Sequence, residues 1–315
     1  MRILLTGVSG SIGAALAPAL ARDGHELRGF ARDPARVRVA GARGGGAAGE
    51  PAALPVVRGD AVAGTGLDAA LEGIDVAYFL IHSMEGGAGF ERRERDAACN
   101  FVAAAERAGV PRVVYLGGIV PAARTRSRHL SSRLEVERIL CAGFEEAVAL
   151  RASIVIGPSS RSFRFLVHLV ERMRVLALPA WRVHRTQPID VRDVRAFLVA
   201  AATTPVAAGG LSLDIAGPQT LTYEEIIGRI ADLMLVRRPA LRLGRDVTPI
   251  AAPVAARIAG EDPAFIAPLM ESLSSDLLAR DDRAPALLGV RRHSFDRAVE
   301  AALREWEARE RLRAR

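Results

Sequence analysis

The chain has 315 residues, 50% hydrophobic and 25% charged, enough for one large domain or a domain with a smaller lobe around a substantial core. All 43 basic side chains are arginine and the formal net charge is +7. Acidic residues accompany the scattered arginines, so the surplus reads as a generic basic surface and not a nucleic-acid footprint. Lysine is thereby excluded as base, nucleophile or activating cation.

Residues 2–13 read R-I-L-L-T-G-V-S-G-S-I-G. Ile3, Leu4 and Leu5 form a short apolar run fit for a buried parallel strand. The alanine-rich run 12–21 reads as a helix. Between them Gly7, Gly10 and Gly13 repeat at three-residue spacing, G-x-x-G-x-x-G. Gly7 lets the chain turn, Gly10 lets backbone approach a pyrophosphate, and Gly13 lets the helix pack on the strand. The N–H groups of Ser9, Gly10, Ser11 and Ile12 then face a bound anion.

A second strand is expected over 25–30. Arg32 follows it, where a site for plain NAD usually carries an acid. An arginine fork suits a 2'-phosphate, so NADP is the expected cofactor, with NAD the alternative that the adjacent Asp33 keeps open. Residues 41–55 are rich in glycine and alanine and read as a lengthened loop. A third strand is expected over 54–57, with Asp60-Ala61 after it at the adenine edge or as a turn cap. A short helix over 67–71 and an apolar strand over 74–81 come next. Leu80, Ile81 and His82 close that strand on the cofactor side; Ser83 and Met84 open a polar substrate-side loop. A helix over 90–108 carries Asn100 and Cys99. A fifth strand over 110–116 ends in Gly117-Gly118, which would admit the nicotinamide ring at Gly117 and substrate at Gly118. A helix over 124–140 and a strand over 147–152 complete an alternation that gives a doubly wound parallel sheet.

In the second half a helix is expected over 163–172, a strand over 175–178, and a polar loop framed by Trp181 and residues 186–189. Asp190 or Asp193 caps a helix ending near 202. A strand runs over 211–215, and Thr222 with Glu225 marks a capped helix start. Beyond Arg237 the pattern is mostly helical, over 254–258, 264–278 and 295–309. The expected architecture is α/β: residues 1–155 form the dinucleotide-binding domain, and 156–315 supply the remainder of the sheet plus a smaller, mostly helical lobe that is not an independent domain. Trp181 is placed at the substrate by that lobe. No zinc-ligand cluster stands out, so no metal is expected. Cys99 and Cys141 read as inert thiols of a reducing compartment. No run approaches the ~20 apolar residues that cross a bilayer, and no charged leader precedes the first strand. A soluble cytoplasmic protein without membrane or nucleic-acid partners is the expectation.

The turn Thr6-Gly7-x-x-Gly10-x-x-Gly13, Arg32-Asp33-Pro34, H-S-M at 82–84, S-R-H-L-S-S-R-L-E-V-E at 127–137, T-Q-P-I-D-V-R-D-V at 186–194 and G-P-Q-T-L-T-Y-E-E at 217–225 together resemble an atypical, extended short-chain dehydrogenase/reductase of the NmrA-like NAD(P)H-binding branch. The resemblance covers roughly residues 1 to 300 and implies a Rossmann fold. In active members a Tyr-x-x-x-Lys pair transfers the proton. The match here is His129-x-x-x-Arg133, with Glu137 four positions further on, and the family's usual serine after the fifth strand is replaced by Gly117-Gly118. Residues i and i+4 share a helix face. His129 is thus expected to donate a proton and Arg133 to grip a ribose hydroxyl or phosphate. Three functions follow: an NADPH-dependent oxidoreductase acting on a small carbonyl, enone or quinone-like acceptor; a non-catalytic NAD(P) sensor that engages a regulatory protein partner; or, through a tyrosine this helix lacks, epimerase or dehydratase work on a nucleotide-linked substrate.

Overall fold

The computed structural model describes residues 1–38, 54–82, 89–121, 127–206, 209–244, 256–257, 260, 270–310 and 312. Its frame is a seven-stranded, all-parallel sheet. Strands β1 (Arg2–Thr6), β2 (Glu26–Ala31), β3 (Val56–Arg58), β4 (Val76–Phe79), β5 (Arg112–Gly118), β6 (Glu146–Ala152) and β11 (Leu211–Ile215) stand in the order β11-β6-β5-β4-β1-β2-β3. The order reverses between β1 and β4, which opens a crevice at the carboxyl ends of those strands. Ile3, Leu4 and Leu5 are 0% exposed. Helices cover both faces of β1, so its sequence is an unbroken apolar run, not an alternating one.

Two cores flank the sheet. One packs α1 (Ser11–Arg22) and α6 (Val191–Ala201) through Leu16, Leu20, Phe197 and Leu198. The other packs α2 (Leu67–Leu71), α3 (Phe90–Ala108) and α4 (Arg128–Gly143) through Leu71, Phe101 and Leu140. A third core builds the C-terminal lobe from α5 (Arg161–Arg172), α7 (Tyr223–Leu233) and α9 (Phe295–Glu307), with Phe163, Ile227 and Trp306 at its centre. A short helix, α8 (Ala284–Leu288), joins the sheet core through Ala284 and Leu288.

Two-residue strands link sheet and lobe. β7 (Val155–Ile156) pairs with β10 (Ile189–Asp190), and β9 (Arg185–Thr186) with β12 (Leu221–Thr222). Asp190 caps α6 by accepting from the Arg192 amide at 2.7 Å. Thr222 and Glu225 form a reciprocal capping box at α7, as the S/T-x-x-E spacing predicts.

The lobe departs from its helical expectation at two points. Ala240–Arg242 is a strand, β13, paired in parallel with β8 (Leu176–Leu178). Three residues are too few to carry a period, so only the partner reveals it. The helix expected over 264–278 falls partly outside the described residues and does not reach 278. Leu277 instead bridges to Thr186, with its amide donating to the Arg185 carbonyl at 2.8 Å.

Candidate functional site

At the crevice, β1 ends in Thr6, whose side chain is fully buried. Its hydroxyl donates to the Tyr78 carbonyl at 2.8 Å and accepts from the Leu80 amide at 3.1 Å. One side chain thus ties the end of β1 to the end of β4. The glycine turn is seated on this tie. Gly7 has φ +65°, and a Cβ there would stand 2.6 Å from the Leu80 carbonyl oxygen. A Cβ on Gly13 would stand 2.6 Å from the Gly7 carbonyl oxygen and 2.8 Å from Val8 Cα. Gly10 is extended and meets only the Gly7 oxygen, at 3.2 Å. Two of the three glycines are therefore required by the fold itself, while the third leaves its outer side open. Gly10 caps α1 without a side-chain bond, the first turn carries no acid, and Ser9, Gly10 and Ser11 are exposed. Amides presented this way form a site for a diphosphate. Ile12 is half-buried behind them.

Arg32 follows β2 and is exposed, with no ion pair or hydrogen bond among the described residues. Asp33 accepts from the Ala35 amide at 3.0 Å and caps the short 3-10 turn Pro34–Arg36. Two further arginines, Arg36 and Arg58, are also exposed and unpaired among the described residues; Arg58 is in register with Ala31, beside Arg32. Sequence reasoning missed Arg58 because its neighbour is set by strand pairing, not by chain distance. Asp60 accepts from the Val62 amide at 2.9 Å, which is the turn-cap alternative of its two expected roles. Ala61 is buried beneath that turn. Asn100 on α3 holds the turn by donating to the Ala61 and Val62 carbonyls at 3.0 and 2.9 Å.

Leu80 and Ile81 are half-buried at the end of β4, followed by the exposed His82. Ser83 and Met84 lie outside the described residues. On β5, Gly117 has a different reason to be glycine than ligand access: its Cβ would stand 2.8 Å from the Tyr115 ring. Gly118 is open, with no atom nearer than 3.8 Å to such a Cβ. The Tyr115 hydroxyl, pushed up to about 12 by burial, donates to the Arg133 carbonyl at 3.2 Å.

His129 and Arg133 share the first turns of α4, whose start is capped by Ser127. Their environments differ. Arg133 is 8% exposed, and its Nη2 donates to Glu94 Oε1 on α3 at 3.1 Å. Glu94 is 3% exposed and also accepts from Ser132 Oγ at 2.6 Å. The guanidinium expected to grip the cofactor is thus engaged with a buried carboxylate that the sequence offered no spacing to find. Glu137, likewise, pairs with Arg151 of β6, which also reaches Asp214 of β11. His129 Nδ1 is buried with no hydrogen-bond partner among the described residues. Burial first, then the Arg133 charge, lower its imidazole to about 4, with His82 adding to the fall and Glu94 opposing it. His129 is therefore neutral at pH 7, and a proton-donating imidazolium is replaced by a neutral ring with an unsatisfied acceptor or donor.

The Trp181 indole Nε1 is buried with no hydrogen-bond partner among the described residues. Expected at the substrate, Trp181 is instead 5% exposed and packs edge-on against Tyr223, ring centroids 5.9 Å apart, inside the lobe core. Its bulk is used to fill that core. Among the described residues no group of three or more potential ligands could hold a metal ion.

Residues 7–154 match a family model described as NAD(P)H-binding. Uncharacterized proteins of Mycobacterium tuberculosis and Mycobacterium bovis are 28% identical over 260 residues, 82% of this chain. The chain spans about a quarter of the length of these curated relatives, the match covering 25% of each. Among solved structures, a nucleoside-diphosphate-sugar epimerase from Staphylococcus aureus superposes with TM-score 0.73 at 16% identity, over 95% of this chain and 100% of that one. A UDP-glucuronic acid 4-epimerase from Bacillus cereus in complex with NAD gives 0.71 at 16%, over 98% and 97%. TunA, an NAD-dependent NDP-hexosamine 5,6-dehydratase of tunicamycin biosynthesis, gives 0.69 at 18%, over 98% and 99%. At these identities the likeness establishes the fold.

Proposed function

We propose that this chain, whose residues 7–154 match an NAD(P)H-binding family model and whose motifs resemble the atypical short-chain dehydrogenases/reductases, is an NADPH-dependent oxidoreductase acting on a small carbonyl, enone or quinone-like acceptor. The reading rests above all on His129: a neutral imidazole with a buried, unpartnered Nδ1, at the helix position where active relatives keep their proton-transferring tyrosine. A buried polar atom without a partner costs stability, and a substrate oxygen or its bridging water would satisfy this one. The glycine turn fits a dinucleotide because Gly10 leaves its outer side open beside uncapped amides. Arg32, Arg36 and Arg58 fit a 2'-phosphate because no carboxylate neutralises them among the described residues. When bound, the nicotinamide supplies the hydride.

The side chains then have separate tasks. Arg32 holds the phosphate that distinguishes NADPH. His129 hydrogen-bonds the substrate oxygen and passes it a proton drawn from water. Burial, and then the like charge of Arg133 fixed by Glu94, keep the imidazole neutral. Gly118 leaves room for the substrate at the end of β5.

The sensor reading has its own support: Arg133 is committed to Glu94, and no tyrosine or lysine stands on α4. Epimerase or dehydratase chemistry draws on the structural neighbours but lacks the tyrosine such work relies on. Calorimetric titration of the whole chain with NADPH and NADH is the first test, repeated with Arg32→Ala. NADPH should bind tighter, and the variant should lose that preference, by about tenfold for one charge-assisted contact. NADPH oxidation against a panel of quinones, enones and aldehydes, with His129→Ala alongside, separates the enzyme from the sensor. Tight binding with no turnover across the panel assigns the sensor role.

A further inference from the structure

The β8–β13 ribbon of the C-terminal lobe has an outer face that nothing in the described structure covers. Leu241 and Ala177 are register partners, and both are exposed. Val175 and Pro239, one residue before each strand and on the same alternation, are exposed as well. Leu176 and Leu178 point the other way, into the core. The outer face is thus an apolar platform of four side chains. Leu235, just past the end of α7 and four residues before Pro239, is 92% exposed. Its φ of +57° places it in the left-handed seat that closes the helix, where Val236 donates to the Ala231 carbonyl. Glycine fits that seat without strain. A leucine held there, almost wholly in water, is unfavourable on two counts, and no contact among the described residues offsets either.

The rim is basic. Arg174 and Arg237 are exposed and have no acidic partner among the described residues. Arg238 donates to the Val170 and Glu171 carbonyls at 2.8 and 3.3 Å, which holds the two arginine-bearing turns side by side. Asp232, three residues before Leu235, is the carboxylate at this end of α7.

We propose that this face docks on an anionic lipid surface, with Leu235, Val175 and Leu241 entering the interface and Arg174 and Arg237 meeting lipid phosphates. Three features favour lipid over other occupants. A second copy would set the same arginines against each other across a twofold axis, and five side chains fall short of the ~800 Å² per partner that a stable dimer buries. The platform carries no aromatic ring on which a nucleic-acid base could stack. An apolar patch flanked by Arg174 and Arg237, with the Arg242 guanidinium of β13 already taken by Glu224, is a composition that a headgroup layer over acyl chains complements. A short ribbon face of this kind leaves no spanning-length apolar run in the sequence. Among the described residues no helix is long and apolar enough to cross a membrane, and surface docking needs none.

The test is co-sedimentation of the full chain with vesicles of pure phosphatidylcholine and of phosphatidylcholine mixed with phosphatidylglycerol, at low and high salt. The expected result is binding to the mixed vesicles alone, weakened by salt, and weakened about fivefold for each of Arg174→Ser and Arg237→Ser. Leu235→Gly should lower binding while raising the melting temperature, a pairing that misfolding cannot produce. Absence of binding to the mixed vesicles overturns the proposal, as does equal binding to both vesicle types or binding indifferent to the arginine variants. A dimer in light scattering that Leu241→Ser dissolves overturns it in favour of self-association.

Discussion

A methyl group at each of the three glycines has a different consequence. At Gly7 it meets the Leu80 carbonyl from a left-handed backbone, and at Gly13 it meets the Gly7 carbonyl. Both strike main chain that cannot yield, so Gly7→Ala and Gly13→Ala should each lower stability by about 2 kcal/mol or more. Gly10→Ala sits on an extended backbone with one contact at 3.2 Å. It should cost stability about 1 kcal/mol or less yet abolish most NADPH binding, because the methyl occupies the approach of the phosphates. Thermal melts beside calorimetry separate the two effects. His129 gives a second prediction at this scale. Its folded value, about 4, lies below the unfolded 6.5. The unfolded chain therefore binds the extra proton first as pH falls. Stability is complete above pH 6.5 and declines toward pH 4, by an amount of order 3 kcal/mol. Urea melts across that range should show a flatter profile for His129→Asn than for the parent.

Between elements, the buried pair of Glu94 on α3 and Arg133 on α4 sets the distance and angle of the two helices. Ser132 Oγ donates to the same Glu94 carboxylate, and the Tyr115 hydroxyl donates to the Arg133 backbone carbonyl. Removing one charge leaves the other buried and alone. Glu94→Gln should therefore cost about 3–5 kcal/mol, and adding Arg133→Met should restore part of the loss. Denaturant melts of the two variants check this. The same pair marks the limit of what the sequence reveals. The i, i+4 spacing of His129 and Arg133 is legible, since helical geometry is local. That Arg133 turns to a carboxylate 39 residues earlier is not, because the contact exists only once α3 and α4 pack. The glycine turn, the Asp190 and Thr222 caps and the strand 211–215 were readable for the same local reason. β13, Arg58 beside Arg32, and Trp181 in the lobe core were not, each being fixed by a partner distant in sequence.

Across the molecule, the dinucleotide half is completed by residues from beyond it. β11 pairs with β6 along five residues, and α6 supplies Phe197 and Leu198 to the core under β1. The Tyr78 hydroxyl donates to the Leu198 carbonyl at 2.7 Å, and Arg112 donates to the Ala202 carbonyl at 2.7 Å. A fragment of residues 1–155 loses all of these and leaves β6 as a bare apolar edge. With two large side chains and a strand removed, each large side chain worth about 1.5–3 kcal/mol, it should fail to melt cooperatively and should aggregate. Residues 1–155 expressed alone, followed by circular dichroism and light scattering, test this.

The pairing of β11 with β6 also sets a clock on synthesis. β6 is complete at Ala152, and its neighbour begins at Leu211. At ribosomal speeds of ~5–20 residues per second, the intervening stretch of about sixty residues takes roughly 3–12 seconds to emerge. Through that interval the nascent chain holds a finished strand with no companion on one side. A chaperone that shields such edges should therefore engage ribosome-bound intermediates ending between these two strands, and should release them once the later strand has cleared the exit tunnel.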